Sequence, residues 1–508
     1  MTTILITGAT DGIGLALAKH YRELGYRLIL LGRKSLEELG EHPSQLFSED
    51  SYIQADLSEM DFCSEIDKRL SEMGVEHLDL AIQNAGLGFV GEFQSQSDQS
   101  IEDLVQVNLT APVLLTKSLL PKLIKAKGKI VFISSVVTAI PTPKFAVYGA
   151  TKAGLDGFAR SLRLELSGRV GVQVIHPGGT RTGMHKKAGM KEEQYRKFAS
   201  ASDVAKQIAE AIAGNRKSVA IGLMNKMVRI LGPCLPTWRP RFSHSPGRVE
   251  KPHALITGGA DGIGKAIVER YARAGFKITC VDFDRPRAME LQKKLERLGV
   301  EIKCLVADLI QPEQDWLSEI ETVDLLVHNA GINSTGYFES QDCSSQERVI
   351  RLNLLAPLKI TARMLEQKRL AEGASVVLVS SLSYFASYPG AATYSASKDA
   401  LAHFGRSLVA VCKDERCRVL TVYPGPTRTA HAHRHSPDNS KEASRMAPEA
   451  LADKIFQAEQ AGHRVLLPTA TAKLSALLGC LFPGLMEKVM CRVILEKFPE
   501  PSRLAEDN

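Results

Sequence analysis

The segment ILITGATDGIG at 4–14 returns as ALITGGADGIG at 254–264, an offset of 250. The rest of the pattern follows in the same order. QNAG (83–86) returns as HNAG (328–331), VNLTAP (107–112) as LNLLAP (352–357), YGATK (148–152) as YSASK (394–398) and HPGGTRT (176–182) as YPGPTRT (423–429). A period this long is no solenoid repeat but has the size of one α/β domain, so it predicts two homologous domains in tandem. The total of 508 residues agrees, because one hydrophobic core stops growing beyond about 250–300 residues.

The boundary falls in 232–252, GPCLPTWRPRFSHSPGRVEKP, whose five prolines separate two apolar-periodic stretches. The expected domains are therefore 1–231 and 253–508. Within each, short apolar strands such as TILIT, RLILL, LDLAIQNA, KIVFIS and GVQVIH alternate with helical patterns such as 12–24. That alternation predicts βαβ units and a doubly wound, Rossmann-type parallel sheet in each half.

Composition removes several classes of function. With 44% hydrophobic and 24% charged residues the chain is neither disordered nor collagen-like. A net charge of +7, from 64 basic and 57 acidic residues, is too diffuse for a nucleic-acid binder. The nine cysteines are odd in number and make no C-x-x-C pair, which predicts reduced thiols in a cytoplasmic protein and no zinc site. No basic n-region precedes the apolar Ile4-Leu5-Ile6, and no apolar run reaches 18 residues, so neither an export signal nor a spanning helix is expected.

The glycine-rich turns carry the first chemistry. Gly8, Gly12 and Gly14 stand where a strand ends and a helix begins, and Gly258, Gly262 and Gly264 repeat them. Without Cβ atoms the backbone N–H groups and the helix N-terminus can face a pyrophosphate. The end of the second strand should choose the dinucleotide, because a carboxylate there binds ribose hydroxyls and an arginine attracts a 2′-phosphate. The halves disagree: LILLGRK ends in Gly32-Arg33-Lys34, whereas ITCVDFD places Asp282 opposite Gly32. We read NADP(H) for the first half, with Thr10 adding a hydroxyl where the second has Ala260, and NAD(H) for the second. Asp11 nearby argues mildly against, and a solvated surface charge is the plainer alternative for Arg33.

Each half also carries a tyrosine and a lysine four apart, Tyr148 with Lys152 and Tyr394 with Lys398, which a helix places on one face. An ammonium beside a phenol favours phenolate, as proton transfer near neutrality requires. Thirteen residues upstream in both halves a serine, Ser135 or Ser381, ends an apolar strand.

These residues together resemble the short-chain dehydrogenase/reductase superfamily, and the resemblance covers nearly the whole chain, twice. Its motifs are T-G-x-x-x-G-I-G at 7–14 and 257–264, which include Ile13 and Ile263, N-A-G at 84–86 and 329–331, and an Asn–Ser–Tyr–Lys set. That set falls on Asn108, Ser135, Tyr148, Lys152 and on Asn353, Ser381, Tyr394, Lys398. The resemblance implies that the tyrosines exchange a proton with the substrate oxygen and the serines hydrogen-bond it. The lysines would bind the nicotinamide ribose, and the asparagines would hold a water leading to solvent. It further implies Asp56-Leu57 and Asp308-Leu309 at the adenine, Asn84 and Asn329 beneath the cofactor, and Thr182 and Thr429 at the carboxamide. The two aspartates also read as ordinary turn residues after a strand. Hydride moves directly between carbons in such chemistry, and no metal is needed.

After each P-G-x-x-x-T the family places a substrate loop, and here 183–200 and 430–446 differ, so different substrates or different faces of one substrate would follow. His431, His433 and His435 alternate in the second loop without carboxylate or cysteine partners in sequence, which favours a solvated loop over a metal site. Both halves continue into apolar, basic stretches, 222–238 and 473–498. Ordinary packing, a cover over a hydrophobic substrate and a shallow membrane contact all remain open for them. The expected function is a bifunctional oxidoreductase acting on secondary alcohols and ketones of a lipid- or polyketide-like molecule, with oxidation and reduction coupled into net inversion of a hydroxyl. Two alternatives stand beside it: one half as a structural pseudo-dimer partner, or a sensor of NADP(H) against NAD(H) without turnover.

Overall fold

A computed structural model describes residues 2–39, 46–59, 61–214, 216–231, 251–311, 316–414 and 417–498. The chain divides into two compact units, the first of residues 1–91 and 97–236 and the second of 92–96 and 237–508. The expected linker at 232–252 lies outside the described residues except for its last two.

The first unit is built on seven parallel strands: β1 (Thr3–Thr7), β2 (Arg27–Gly32), β3 (Tyr52–Gln54), β4 (Leu80–Gln83), β5 (Lys129–Ile133), β6 (Gly171–His176) and β7 (Ser218–Ala220). Their order across the sheet is β3-β2-β1-β4-β5-β6-β7. Every residue of β1 is buried, as an almost unbroken apolar strand covered on both faces must be. The helices on the two faces are α1 (Gly12–Glu23), α2 (Phe62–Glu72), α3 (Asp98–Val105), α4 (Ala111–Ala126), α5 (Ala146–Glu165) and α6 (Ala201–Ala213), and α7 (Leu223–Leu231) follows β7. The strand order reverses between β1 and β4, and such a switch point opens a crevice at the carboxyl ends of the strands.

The second unit repeats the plan with β8 (His253–Thr257), β9 (Lys277–Asp282), β10 (Ile302–Val306), β11 (Val323–His328), β12 (Leu370–Val379), β13 (Arg418–Val422) and β14 (Val465–Leu466), ordered β10-β9-β8-β11-β12-β13-β14. Its helices are α8 (Gly262–Arg273), α9 (Arg285–Glu296), α10 (Cys343–Ile350), α11 (Ala356–Glu366), α12 (Ala392–Asp414), α13 (Pro448–Gln460), α14 (Ala470–Leu481) and α15 (Pro483–Val493). The apolar stretch 473–498 is thus two helices broken at Pro483, and Leu474, Leu477, Leu481, Phe482, Leu485, Val489 and Val493 remain exposed on them. Among the described residues no helix is long and apolar enough to cross a membrane.

One expectation is corrected. Cys412 and Cys417 form a disulfide, their Cα atoms 4.8 Å apart. Parity and spacing had argued for thiols throughout, but closeness in space decides pairing, and the end of α12 and the start of β13 bring these two within reach. Cys280 and Cys304, both buried, remain thiols.

Candidate active sites

The glycine-rich turns form at the switch point of each sheet. Gly8 has φ 64°, a conformation side chains disfavour, and a Cβ on Gly14 would run into the Gly8 carbonyl oxygen. Asp11 caps α1 by accepting from the Gly12 N–H at 2.7 Å, and Asp261 caps α8 in the same way at 2.8 Å. Asn84 holds the first turn by donating Nδ2 to the Thr7 carbonyl at 3.0 Å, and Asn329 donates to the Gly258 carbonyl at 2.8 Å. Ile13 and Ile263 pack half-buried against the cores, while Thr182 lies against Gly12 and Thr429 against Gly262. Backbone without Cβ atoms, facing the N-terminus of a helix, fits a pyrophosphate.

The ends of β2 and β9 differ chemically as well as in sequence. Thr10 packs over Gly32, and Arg33 is exposed with no ion pair among the described residues. In the second half Asp282 is 9% exposed. Its carboxylate accepts from the Ala260 N–H at 2.9 Å and the Asp284 N–H at 3.0 Å. Asp56 closes a turn on Ser58, accepting from its N–H at 2.9 Å and its hydroxyl at 2.7 Å, and Asp308 accepts from the Ile310 N–H at 3.0 Å. The carbonyl of Leu57 accepts from Gln106, and Leu309 lines a small cavity with Trp316 and Lys359.

The tetrads assemble from three elements each. Ser135 follows β5, Tyr148 and Lys152 share one face of α5, and Asn108 sits in a π-helical turn, Gln106–Thr110, between α3 and α4. Ser381, Tyr394, Lys398 and Asn353 repeat this, the last in Arg351–Leu355 between α10 and α11. In both halves the serine hydroxyl stands close enough to the phenol to lower its proton affinity. Lys152 Nζ lies 6.0 Å from the centre of the Tyr148 ring and Lys398 Nζ 5.9 Å from that of Tyr394. Each ammonium donates to the carbonyl ending the neighbouring strand, Ile133 at 3.0 Å and Val379 at 2.9 Å.

Asn108 does more local work than its place in the motif implies. Its Oδ1 accepts from the Leu87 N–H at 2.7 Å while Nδ2 donates to the Leu87 carbonyl at 3.0 Å and to Thr151 Oγ1 at 3.2 Å. Asn353 does the same to Ile332 and Ser397. Gly86 and Gly331 pass between amide and lysine: a Cβ on Gly86 would meet Asn108 Oδ1 at 3.2 Å and Lys152 Nζ at 3.3 Å.

Proton affinities differ from the simple expectation. Burial draws Lys152 and Lys398 down to about 8, and it pushes the Tyr148 phenol up and that of Tyr394 to about 12, with the serine hydroxyl pulling the other way. At this separation desolvation outweighs the ammonium, so the lysine is the member that titrates nearest neutrality.

In the second substrate loop the side chains of the three histidines part from one another. His431 and His435 lie with ring centres 4.7 Å apart and planes tilted by 48°, whereas His433 points to Glu442, 2.8 Å away. Burial, then His435 and Lys398, hold His431 down to about 4. The residues that sequence reading passed over are behind the first tetrad: Asp156, His176 and Arg229, joined as described below. The signal available was the spacing of Asp156, one further turn along the helical face of Tyr148 and Lys152.

The family model for short chain dehydrogenases matches residues 2–193 and again 252–440. Over 194 residues the chain is 36% identical to the uncharacterized oxidoreductase YciK of Escherichia coli (strain K12), covering 36% of this chain and 76% of that protein. Over 180 residues it is 32% identical to 11-beta-hydroxysteroid dehydrogenase A of Sesamum indicum, covering 34% of this chain and 51% of the relative, so it spans about half of that protein's length. A solved short-chain dehydrogenase from Sphingobium yanoikuyae in complex with NADPH is 25% identical with a TM-score of 0.41, covering 49% of this chain and 100% of that one.

Proposed function

The chain belongs in both halves to the short-chain dehydrogenase family of NAD(P)-dependent oxidoreductases, and on that premise we propose that it carries two competent active sites. The observation that carries this reading is the duplicated triad, a buried phenol beside a serine with a lysine about one helical turn away. A bound nicotinamide supplies or accepts the hydride. The chain's own residues then handle the oxygen: Tyr148 or Tyr394 exchanges a proton with it, and Ser135 or Ser381 holds it by a hydrogen bond while negative charge develops. Lys152 and Lys398 hold the ribose and sit within reach of the phenol's field, and Asn108 and Asn353 fix the loop beside them.

The exposed Arg33 supports NADP(H) in the first half, and the carboxylate of Asp282 supports NAD(H) in the second. Asp56, Leu57, Asp308 and Leu309 border the adenine end in this reading, and Thr182 and Thr429 the carboxamide. A hydrophobic secondary alcohol or ketone is the substrate class, supported by the exposed apolar residues of α14 and α15 and by relatives named hydroxysteroid dehydrogenases. Opposite cofactors in one chain support sequential use: a hydride and a proton leave the carbinol in the second half, and one of each return to the ketone in the first, inverting the carbon. The test supplies a pure enantiomer of a hydrophobic secondary alcohol with NAD and NADPH and follows both enantiomers by chiral chromatography. The opposite enantiomer should accumulate, and Tyr148→Phe or Tyr394→Phe should each stop it. Inversion that survives either substitution contradicts the two-site reading.

A further inference from the structure

The face of α5 that carries Tyr148 and Lys152 continues to Asp156, whose carboxylate is met from three other elements. From the end of β6, His176 Nε2 lies 3.0 Å from both of its oxygens. From the turn after Ser135, Thr138 Oγ1 lies 3.0 Å from Oδ2 and also 3.0 Å from the Ser135 carbonyl. From α7, Arg229 Nη1 donates to Thr138 Oγ1 at 3.1 Å and reaches Oδ2 at 3.4 Å. Ser134, beside this group, donates its hydroxyl to the Lys152 carbonyl at 3.3 Å.

The second half builds the same place differently. Counting from the lysines (398 − 152 = 246), Asp156 corresponds to Ala402, Thr138 to Tyr384, and His176 to Tyr423 in the aligned PG motifs. Tyr384, Phe385 and Tyr423 pack there as an aromatic cluster, with ring centres 4.9, 5.5 and 5.0 Å apart, and Arg406 reaches the Tyr384 hydroxyl at 3.5 Å. Three exchanges at contacting positions replace Asp156 and its partners by aromatic packing around a small residue, and the charged groups that face Tyr423 there are Arg406 and the buried Asp399.

We propose that Asp156 is a positioning residue of the first site alone, stabilising the Lys152 ammonium along the helix and, with Arg229 and Thr138, anchoring the Ser135 turn. The electrostatics are consistent. Burial alone would neutralise Asp156, but His176 and Arg229 keep it ionised, and its charge opposes the desolvation of Lys152, whereas Lys398 has no such counter-charge. The groups facing Asp156 are therefore Lys152, His176, Arg229, Thr138 and Ser134, and those around the Lys152 head are Tyr148, Asn108 and the Ile133 carbonyl.

The inference rests on Lys152 being a working residue, but its test needs no substrate and so fails independently of turnover. Trace acetic anhydride labels the full chain from pH 6 to 11, and mass spectrometry of the peptides bearing Lys152 and Lys398 reads each midpoint. Asp156→Asn should lower the Lys152 midpoint by about half to one pH unit, the scale of one unit charge one helical turn away. Arg229→Gln should raise it, and Lys398 should stay put in both. A purely structural role would move both variants in the same direction or neither. Either result, an equal shift at Lys398, or a Lys152 that does not titrate in this range overturns the proposal. If Asp156→Asn does not fold, the sign of the Arg229→Gln shift decides.

Discussion

Lys152 and Lys398 are 4% and 5% exposed, and burial draws both to about 8 from an ordinary 10.5. A lysine whose folded value is depressed binds fewer protons in the native than in the unfolded state between those two values. Stability therefore rises as pH climbs from about 8 toward 10.5. Tyr394, pushed up to about 12, works in the opposite sense above 10, where the unfolded phenol ionises first. Replacing Lys398 by Met should flatten the rise, which is on the order of 2–3 kcal/mol per lysine, in urea denaturation between pH 7.5 and 9.5. An unchanged slope would remove the buried-charge account of this lysine. The dinucleotide prediction also belongs at this scale. Arg33→Gln should weaken NADPH binding roughly tenfold and leave NADH binding alone, and Asp282→Asn should weaken NADH binding by about ten- to a hundredfold. Isothermal titration of the folded variants checks both, and equal losses for the two nucleotides in either variant would refute the assignment.

Between residue and domain, the π-helical turns at Gln106–Thr110 and Arg351–Leu355 swing Asn108 and Asn353 out of helical register so that their amides can clamp Leu87 and Ile332. Asn108→Ala leaves the half-buried N–H and carbonyl of Leu87 without the amide and should cost about 1–3 kcal/mol in chemical denaturation. Asn108→Asp, which keeps the acceptor, should cost less. Equal costs would show that the clamp does not depend on the amide. None of this was legible in the sequence, because a π turn has no hydrophobic period of its own and VNLTAP reads as plain helix. The strands, by contrast, were plain from their apolar runs. The tyrosine, lysine and serine were plain from spacing, since one helix face and one strand end suffice to define them. Asp156, His176 and Arg229 were not: they lie at 156, 176 and 229, and only the fold brings β6 and α7 onto α5. Cys412 and Cys417 escaped for the same reason, closeness in space that no count of cysteines reveals.

At the scale of the whole chain, one gene-length repeat yields two seven-stranded sheets of identical order, each with its own switch point and tetrad. The two copies share the asparagine, serine, tyrosine and lysine and differ around them, at the end of the second strand, in the loop after P-G-x-x-x-T and behind the lysine. The central claim is that each copy transfers its own proton. The most direct measurement is the single-turnover rate of hydride transfer in the full chain, with NADPH and a hydrophobic ketone and separately with NAD and the matching alcohol, for Tyr148→Phe and Tyr394→Phe. The account predicts that Tyr148→Phe lowers the NADPH reaction by about 10²–10⁴-fold and spares the NAD reaction, and that Tyr394→Phe does the reverse. Loss of both reactions through one tyrosine, or of neither through both, would contradict it.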